Sequence, residues 1–193
     1  MKKIFVIFLL TLLVSNISSA QTSNSAIGLN GTLSIPVGDF NDVAKMGYGI
    51  SGSFYYSLSD YFQFTGTLGY IAWGGDKIEI GNTTLEATDP HVSIPILVGG
   101  RFFLDDKELN PYICGELGLH VFTTASTQTK IAGIAQPKIK GDTNPYFGFG
   151  LGGGAVYELS NDIKVDGNLQ YNIVSSEESI GFFTLEVGFI VGI

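Results

Sequence analysis

Cysteine is nearly absent: Cys114 is the only one in 193 residues, which excludes a disulfide scaffold. Basic residues are few, 10 Lys and Arg against 18 Asp and Glu, for a net charge of −8. With no basic cluster, the chain lacks the electrostatic footprint of a nucleic-acid binder. Charge of either sign is scarce at 15%, against roughly 25% in an ordinary soluble domain. Long hydrophobic runs are missing too. After residue 20 nothing approaches the about 18 consecutive apolar residues of a membrane-spanning helix. Yet the chain is 45% hydrophobic and 12% aromatic, which excludes disorder.

What is present begins with the first twenty residues. Lys2 and Lys3 precede an apolar stretch from Ile4 to Val14, and Ser18, Ser19 and Ala20 supply small residues for cleavage. This is the pattern of a secretory signal peptide over 1–20, with the mature domain spanning 21–193. The apolar stretch is too short for a membrane anchor of about 20 residues.

The mature chain reconciles high apolar content with the lack of long runs by alternation. Ile163, Val165, Leu169, Tyr171 and Ile173 share one parity, while Lys164, Asp166, Asn168, Gln170 and Asn172 occupy the other. A period of two is a strand, not a helix. The pattern recurs in 27–37, 48–58, 62–72, 92–104, 113–121, 147–159 and 183–193, which predicts eight strands. Connections at 59–61, 105–110 and 160–162 are short; 73–91 and 122–146 are long. An antiparallel meander therefore carries short turns at one end and long loops at the other. Within the first long loop, Lys77 to Ile80, Gly81-Asn82 and Thr83 to Ala87 read as a hairpin. Pro95 cannot donate to a ladder, so a bulge or irregularity is expected there, near the loop-end rim. Ile71, Leu97, Phe103 and Ile190 break the polar parity.

Sidedness follows from the polar parity. It holds mostly Gly, Ser, Thr, Asn and Gln, with few charges. A solvated outer face carries many more charged side chains, whereas the interior of a small barrel holds modest polar groups and glycines. The apolar parity is then an outward band facing lipid. A bilayer admits no open sheet edge, so the strands must close. The predicted fold is all-β: a closed eight-stranded antiparallel up-and-down transmembrane β-barrel.

At the chain's end, Glu186, Gly188, Val191 and Ile193 resemble the C-terminal signal read by the outer-membrane barrel assembly machinery, with Ile193 where an aromatic is commoner. Segments such as Ile35-Pro-Val-Gly-Asp-Phe40, Gly49-Ile-Ser-Gly-Ser-Phe-Tyr-Tyr56, Leu68-Gly-Tyr70 and Pro145-Tyr-Phe-Gly-Phe-Gly150 resemble the small eight-stranded outer-membrane β-barrel family of the OmpA-transmembrane, OmpX and opacity type. The resemblance covers 21–193. It implies the outer membrane of a Gram-negative bacterium after export, contact with outer-membrane lipids and lipopolysaccharide, a monomer, and no cofactor or metal.

An eight-stranded barrel is just wide enough for its side chains to fill, so its lumen charges should pair. Turn lengths place Glu158 opposite Lys164 and Arg101 near Glu116, with Asp166 and Glu186 sharing Lys164 or a water. His120 completes this polar set. Gly148, Gly150, Gly152 and Gly154 make room for bulky side chains from across the lumen rather than cradling phosphate, since no strand-to-helix turn accompanies them. Glu116 and His120 are roughly 13 Å apart along a strand, too far to share a metal. Cys114 reads as an inert lumen residue.

The expected role is structural or surface-interacting, by adhesion or binding through the long loops, with no enzymatic activity. A narrow channel or small-ligand carrier is the alternative. A lipid-modifying enzyme is a remote one, resting on a His91-x-Ser93 pair without an acidic partner. Asp76, Glu79, Glu86, Asp89 and Asp142 make the loop rim partly acidic.

Overall fold

The computed structural model describes residues 24–193 apart from 76, 81–82, 106–107, 132–133, 161 and 177–178; residues 77–80, 85–86 and 131 are described by backbone alone. The leader read at 1–20 lies outside the described residues.

Strands form at β1 (Ser25–Val37), β2 (Ala44–Ser57), β3 (Phe62–Gly75), β4 (Lys77–Ile80), β5 (Thr83–Ala87), β6 (His91–Phe103), β7 (Leu109–Thr123), β8 (Thr127–Ile131), β9 (Ile134–Ala135), β10 (Thr143–Ser160), β11 (Ile163–Val174) and β12 (Ile180–Gly192). Eight of them close a ring in the order β1-β12-β11-β10-β7-β6-β3-β2. Every neighbouring pair is antiparallel, and β12 meets β1 from Ala26↔Gly192 to Val37↔Gly181, so no edge is left open. These are the eight predicted strands, several of them longer than the apolar pattern. The segment expected at 147–159 starts at Thr143, because backbone pairing such as Thr143↔Thr123 continues beyond the apolar band.

The predicted parity holds in the wall. Leu29, Ile50, Leu68, Val98, Leu117, Leu151, Leu169 and Val187 are all exposed on the outside. Asn30, Thr32, Ser51, Thr65, Asn168, Gln170, Asn172 and Thr184 are buried inside. So broad an exposed apolar band is untenable in water; it is the surface that hydrocarbon covers.

The parity breakers have a common explanation. Ile71 joins Phe40, Ala44, Trp73, Phe122, Val174 and Phe182 in an apolar cluster at the long-loop end of the lumen. Ile190 joins Tyr55, Tyr112 and Val156, with Phe103 packed alongside, in a second cluster at the short-turn end. Ile71, Phe103 and Ile190 point inward because each end of the lumen is stoppered by apolar side chains, with Leu97 buried between, a layering that alternation alone does not reveal.

Pro95 produces a gap rather than a bulge. The β3–β6 register runs from Leu68↔Ile96 to Ile71↔Ser93 without shifting, but the two intervening pairs are missing. Gly69 lies opposite, and a Cβ there would stand 3.0 Å from the proline ring. The interruption lies in the wall, not at the rim. Register shifts occur instead at Ala44/Gly47 and Glu158/Ser160.

The long loops carry their own sheet, β4-β5-β8-β9. The hairpin read at 77–87 is present, with Ile80↔Thr83 as its last pair; Gly81 and Asn82 lie outside the described residues. Sequence periodicity did not disclose that β5 pairs with β8 of the other long loop, Thr83↔Ile131 through Ala87↔Thr127. Thr88 N–H extends this join by donating to Ser126 O at 2.8 Å, and Lys138 Nζ pairs with Asp89 at 2.7 Å. Hydrogen bonds from Lys138 and Ser126 hold the Asp89 carboxyl below its usual range. Its folded value is depressed, so this clasp persists above the ordinary carboxylate range and is lost as pH falls through the lowered value.

A 3-10 turn at Gly38–Asp42 leads from β1 to β2. Gly38 takes φ +63°, a left-handed conformation that favours glycine. The turn carries Phe40 into the upper apolar cluster.

Candidate functional site: a filled lumen beneath a loop sheet

The lumen is built in layers. At the top, Trp73 Nε1 donates to Ser34 Oγ at 2.9 Å, while its ring meets Phe40 and Phe182 edge-on at centroid distances of 5.4 and 5.2 Å. The indole N–H, which needs a partner when buried, finds one on β1, the next strand but one around the ring.

Below that layer the lumen turns polar, down to the level of Tyr55 and Tyr112 near the short-turn end. Arg101 Nη2 donates to Asp166 Oδ2 at 2.7 Å, both side chains being almost fully buried, and to Tyr55 OH at 3.1 Å. Tyr112 OH donates to the other Asp166 oxygen at 2.7 Å. The guanidinium carbon lies 4.5 Å from the ring centroids of both Tyr55 and Tyr112, so the cation is clamped between two aromatic faces. Asn168 Nδ2 donates to Tyr112 OH at 3.2 Å and to Cys114 Sγ at 3.3 Å.

Two further carboxylates are held by hydroxyls. Glu116 accepts from Thr65 and Thr67 at 3.0 and 2.8 Å; Glu186 accepts from Thr32 and Ser51 at 3.0 and 3.2 Å.

The expected residues are therefore all placed, but their pairings need correcting. Arg101 ion-pairs with Asp166 and not with Glu116. In register Arg101 sits opposite Cys114 and Glu116 opposite Gly99, and the long guanidinium reaches past its neighbouring strands to Asp166. Lys164 does not bridge Asp166 and Glu186. It meets Glu158 at 3.9 Å near the short-turn rim, with both side chains more than two-fifths exposed. That pair was legible from the turn, because facing residues of a hairpin are set by its length. The Arg101–Asp166 pair was not, because two strands separate its partners in the ring.

The glycine row of β10 does leave room for side chains, but they come from the adjacent strands β7 and β11 and not from across the lumen. A Cβ at Gly148 would stand 2.7 Å from His120 Cδ2, and one at Gly154 would stand 2.7 Å from Tyr112 OH. At Gly150 it would collide with Asn172 Oδ1 and Gln170 Nε2. Gly150→Leu is expected to cost about 1–3 kcal/mol by overpacking. Gly66→Ala faces open space and should change urea unfolding of the refolded protein by under about 0.5 kcal/mol.

The His91-x-Ser93 pair does not form a shared site. Ser93 Oγ lies 3.1 Å from His120 Nδ1, buried in the lumen, while His91 Nδ1 accepts from Ala125 N–H at 3.1 Å at the mouth. Among the described residues no group of His, Cys, Asp or Glu is arranged to hold a metal. Of the acidic rim, Asp89 is neutralised by Lys138 and Asp142 is exposed. Glu79 and Glu86 are placed by backbone only, and Asp76 lies outside the described residues. At the chain's end Glu186 and Gly188 face inward, a Cβ at Gly188 colliding with Asn30 Oδ1, while Ile193 is exposed.

Comparison with known proteins agrees with this architecture. Neisserial surface protein A (NspA) superposes with a TM-score of 0.60 at 15% identity, covering 89% of this chain and 98% of that one. Ail, the attachment invasion locus protein of Yersinia pestis, superposes with a TM-score of 0.50 at 15% identity, covering 88% and 99%. Ail in complex with the heparin analogue sucrose octasulfate gives 0.52 at 12% identity over the same shares. At these identities the likeness is one of fold. No curated protein matches the chain. A family model described as the outer membrane protein beta-barrel domain matches residues 6–190. With a closed eight-stranded wall, a lipid-facing apolar band and that match over nearly its whole length, the chain belongs to the outer membrane protein beta-barrel domain family.

Proposed function

We propose that this protein is a structural and surface-interacting barrel of the outer membrane, working by adhesion or binding through its long loops and conducting nothing through its lumen. The observation that carries this reading is the filled interior. Two apolar clusters stopper the ends, the Arg101–Asp166 pair locks the short-turn one from between Tyr55 and Tyr112, and the cavities between the clusters measure only about 20 and about 10 Å³, room for a water or so each. The pairing of β5 with β8 ties the two long loops into one presented surface, which supports a binding role. The attachment protein and the surface protein named above support the same direction by likeness of fold.

The absence of catalysis belongs to this reading. Ser93 and His120 sit sealed in the lumen, away from any lipid substrate. Export by the 1–20 leader, insertion through recognition of Glu186, Gly188, Val191 and Ile193 by the assembly machinery, contact with lipopolysaccharide and a monomeric state complete the proposal.

Two measurements test it. In planar bilayers the purified barrel should give no steady unit currents; sustained single-channel steps would favour the channel alternative. Cells displaying the protein should lose surface binding when 77–87 and 127–140 are replaced by short turns, with the barrel itself still inserted. Undiminished binding would remove the loops from the function.

A further inference from the structure

We propose that the outer mouth of the barrel is a binding site for a small organic cation, a protonated amine carried on an aromatic or apolar body. Above the upper apolar cluster lies a recess of about 450 Å³, within the roughly 300–1,000 Å³ of small-molecule pockets. Phe40, Phe122, Tyr146 and Ile180 line it, with Asp39 and His91. Phe40 and Phe122 meet edge to face at 5.8 Å, and with both rings almost fully buried they give the recess an apolar floor. Among the described lining residues Asp39 is the only acid, and none is Lys or Arg. An ammonium on an apolar body matches both features; an anion matches neither.

The imidazole in the lining, His91, is kept uncharged by its bonding. Nδ1 accepts the Ala125 N–H at 3.1 Å, and the ring also bonds the Val43 backbone. A ring whose Nδ1 accepts a backbone N–H cannot be the imidazolium, since both nitrogens of that form are donors. His91 therefore sets no positive charge against an incoming cation. Its two bonds also join the turn after β1 to the segment after β7, fixing two walls of the recess relative to each other. The proposal goes beyond the loop-sheet reading: the recess is walled by the mouth of the barrel, so it stands or falls without β4, β5, β8 and β9.

Trp73 is the only tryptophan. Its ring lies 5.4 Å from Phe40 and 5.9 Å from Phe122, two of the rings that line the recess, so its emission reports on occupancy. The test is titration of the full protein in phospholipid nanodiscs with 2-phenylethylamine, its neutral counterpart 2-phenylethanol, and anionic 3-phenylpropionate. The amine should give a saturable change, 2-phenylethanol should bind about fivefold more weakly, and the anion should give no saturable change. Asp39 is exposed on its turn, so Asp39→Asn leaves the fold in place; it should weaken the amine about fivefold and leave 2-phenylethanol unchanged. A response that never saturates is partition into the bilayer and overturns the proposal. So does equal affinity for amine and alcohol, or an amine affinity that Asp39→Asn does not alter.

Discussion

Arg101→Met is expected to destabilise the barrel by about 3–5 kcal/mol, the cost of leaving one partner of a buried ion pair behind. Asp166 would keep only the Tyr112 hydroxyl, and the space between the Tyr55 and Tyr112 rings would lose its cation. The second arm separates charge from packing. Arg101→Met combined with Asp166→Asn removes both charges, and most of the loss should return, because neither buried ion is then unpaired. Glu158→Gln serves as the contrast: its pair with Lys164 is more than two-fifths exposed, and its loss should cost under about 1 kcal/mol. Urea unfolding of the refolded protein in vesicles, followed by Trp73 emission, reads all three. A single Arg101→Met variant as stable as the parent would mean the pair contributes nothing to holding the lumen.

Val187→Arg should cost about 2–4 kcal/mol, the depth-dependent cost of an arginine on the lipid face of a barrel. Val187 is 58% exposed on the outer wall, between Gly31 and Gly167 on its neighbouring strands, so no bulky neighbour shields the new charge from hydrocarbon. Gln170→Ala, on the inner face, should cost under about 1 kcal/mol, since the Gln170 amide nitrogen has no partner to lose. The same unfolding assay compares them. Equal costs would mean that the two faces of the wall do not differ in solvent.

Much of the architecture was legible in the residues. The alternation in 163–173 assigns each side chain to a face because successive strand residues point to opposite sides, and the outward Leu169 and inward Gln170 sit where that rule puts them. The hairpin at 77–87 and the Glu158–Lys164 pair were legible because both depend on residues close in sequence. Less legible were the features that need distant strands. Leu97 and Ile190 look like errors in a polar stripe until the lumen is seen to be layered. His91 and Ser93 look like one motif until their bonds are seen to lead to Ala125 and His120 respectively.

By itself, the sequence determined the number of wall strands, the face that most of their residues take and the side on which hydrocarbon lies, because a period of two and a scarcity of charge are local properties that any antiparallel pairing preserves. Only the tertiary structure decided that Arg101 meets Asp166, that the two long loops share one sheet, and that aromatic groups close both ends of the lumen. Those contacts depend on ring closure, which brings strands far apart in the chain around a common interior, and on side-chain reach across it; neither is written in the spacing of any one strand.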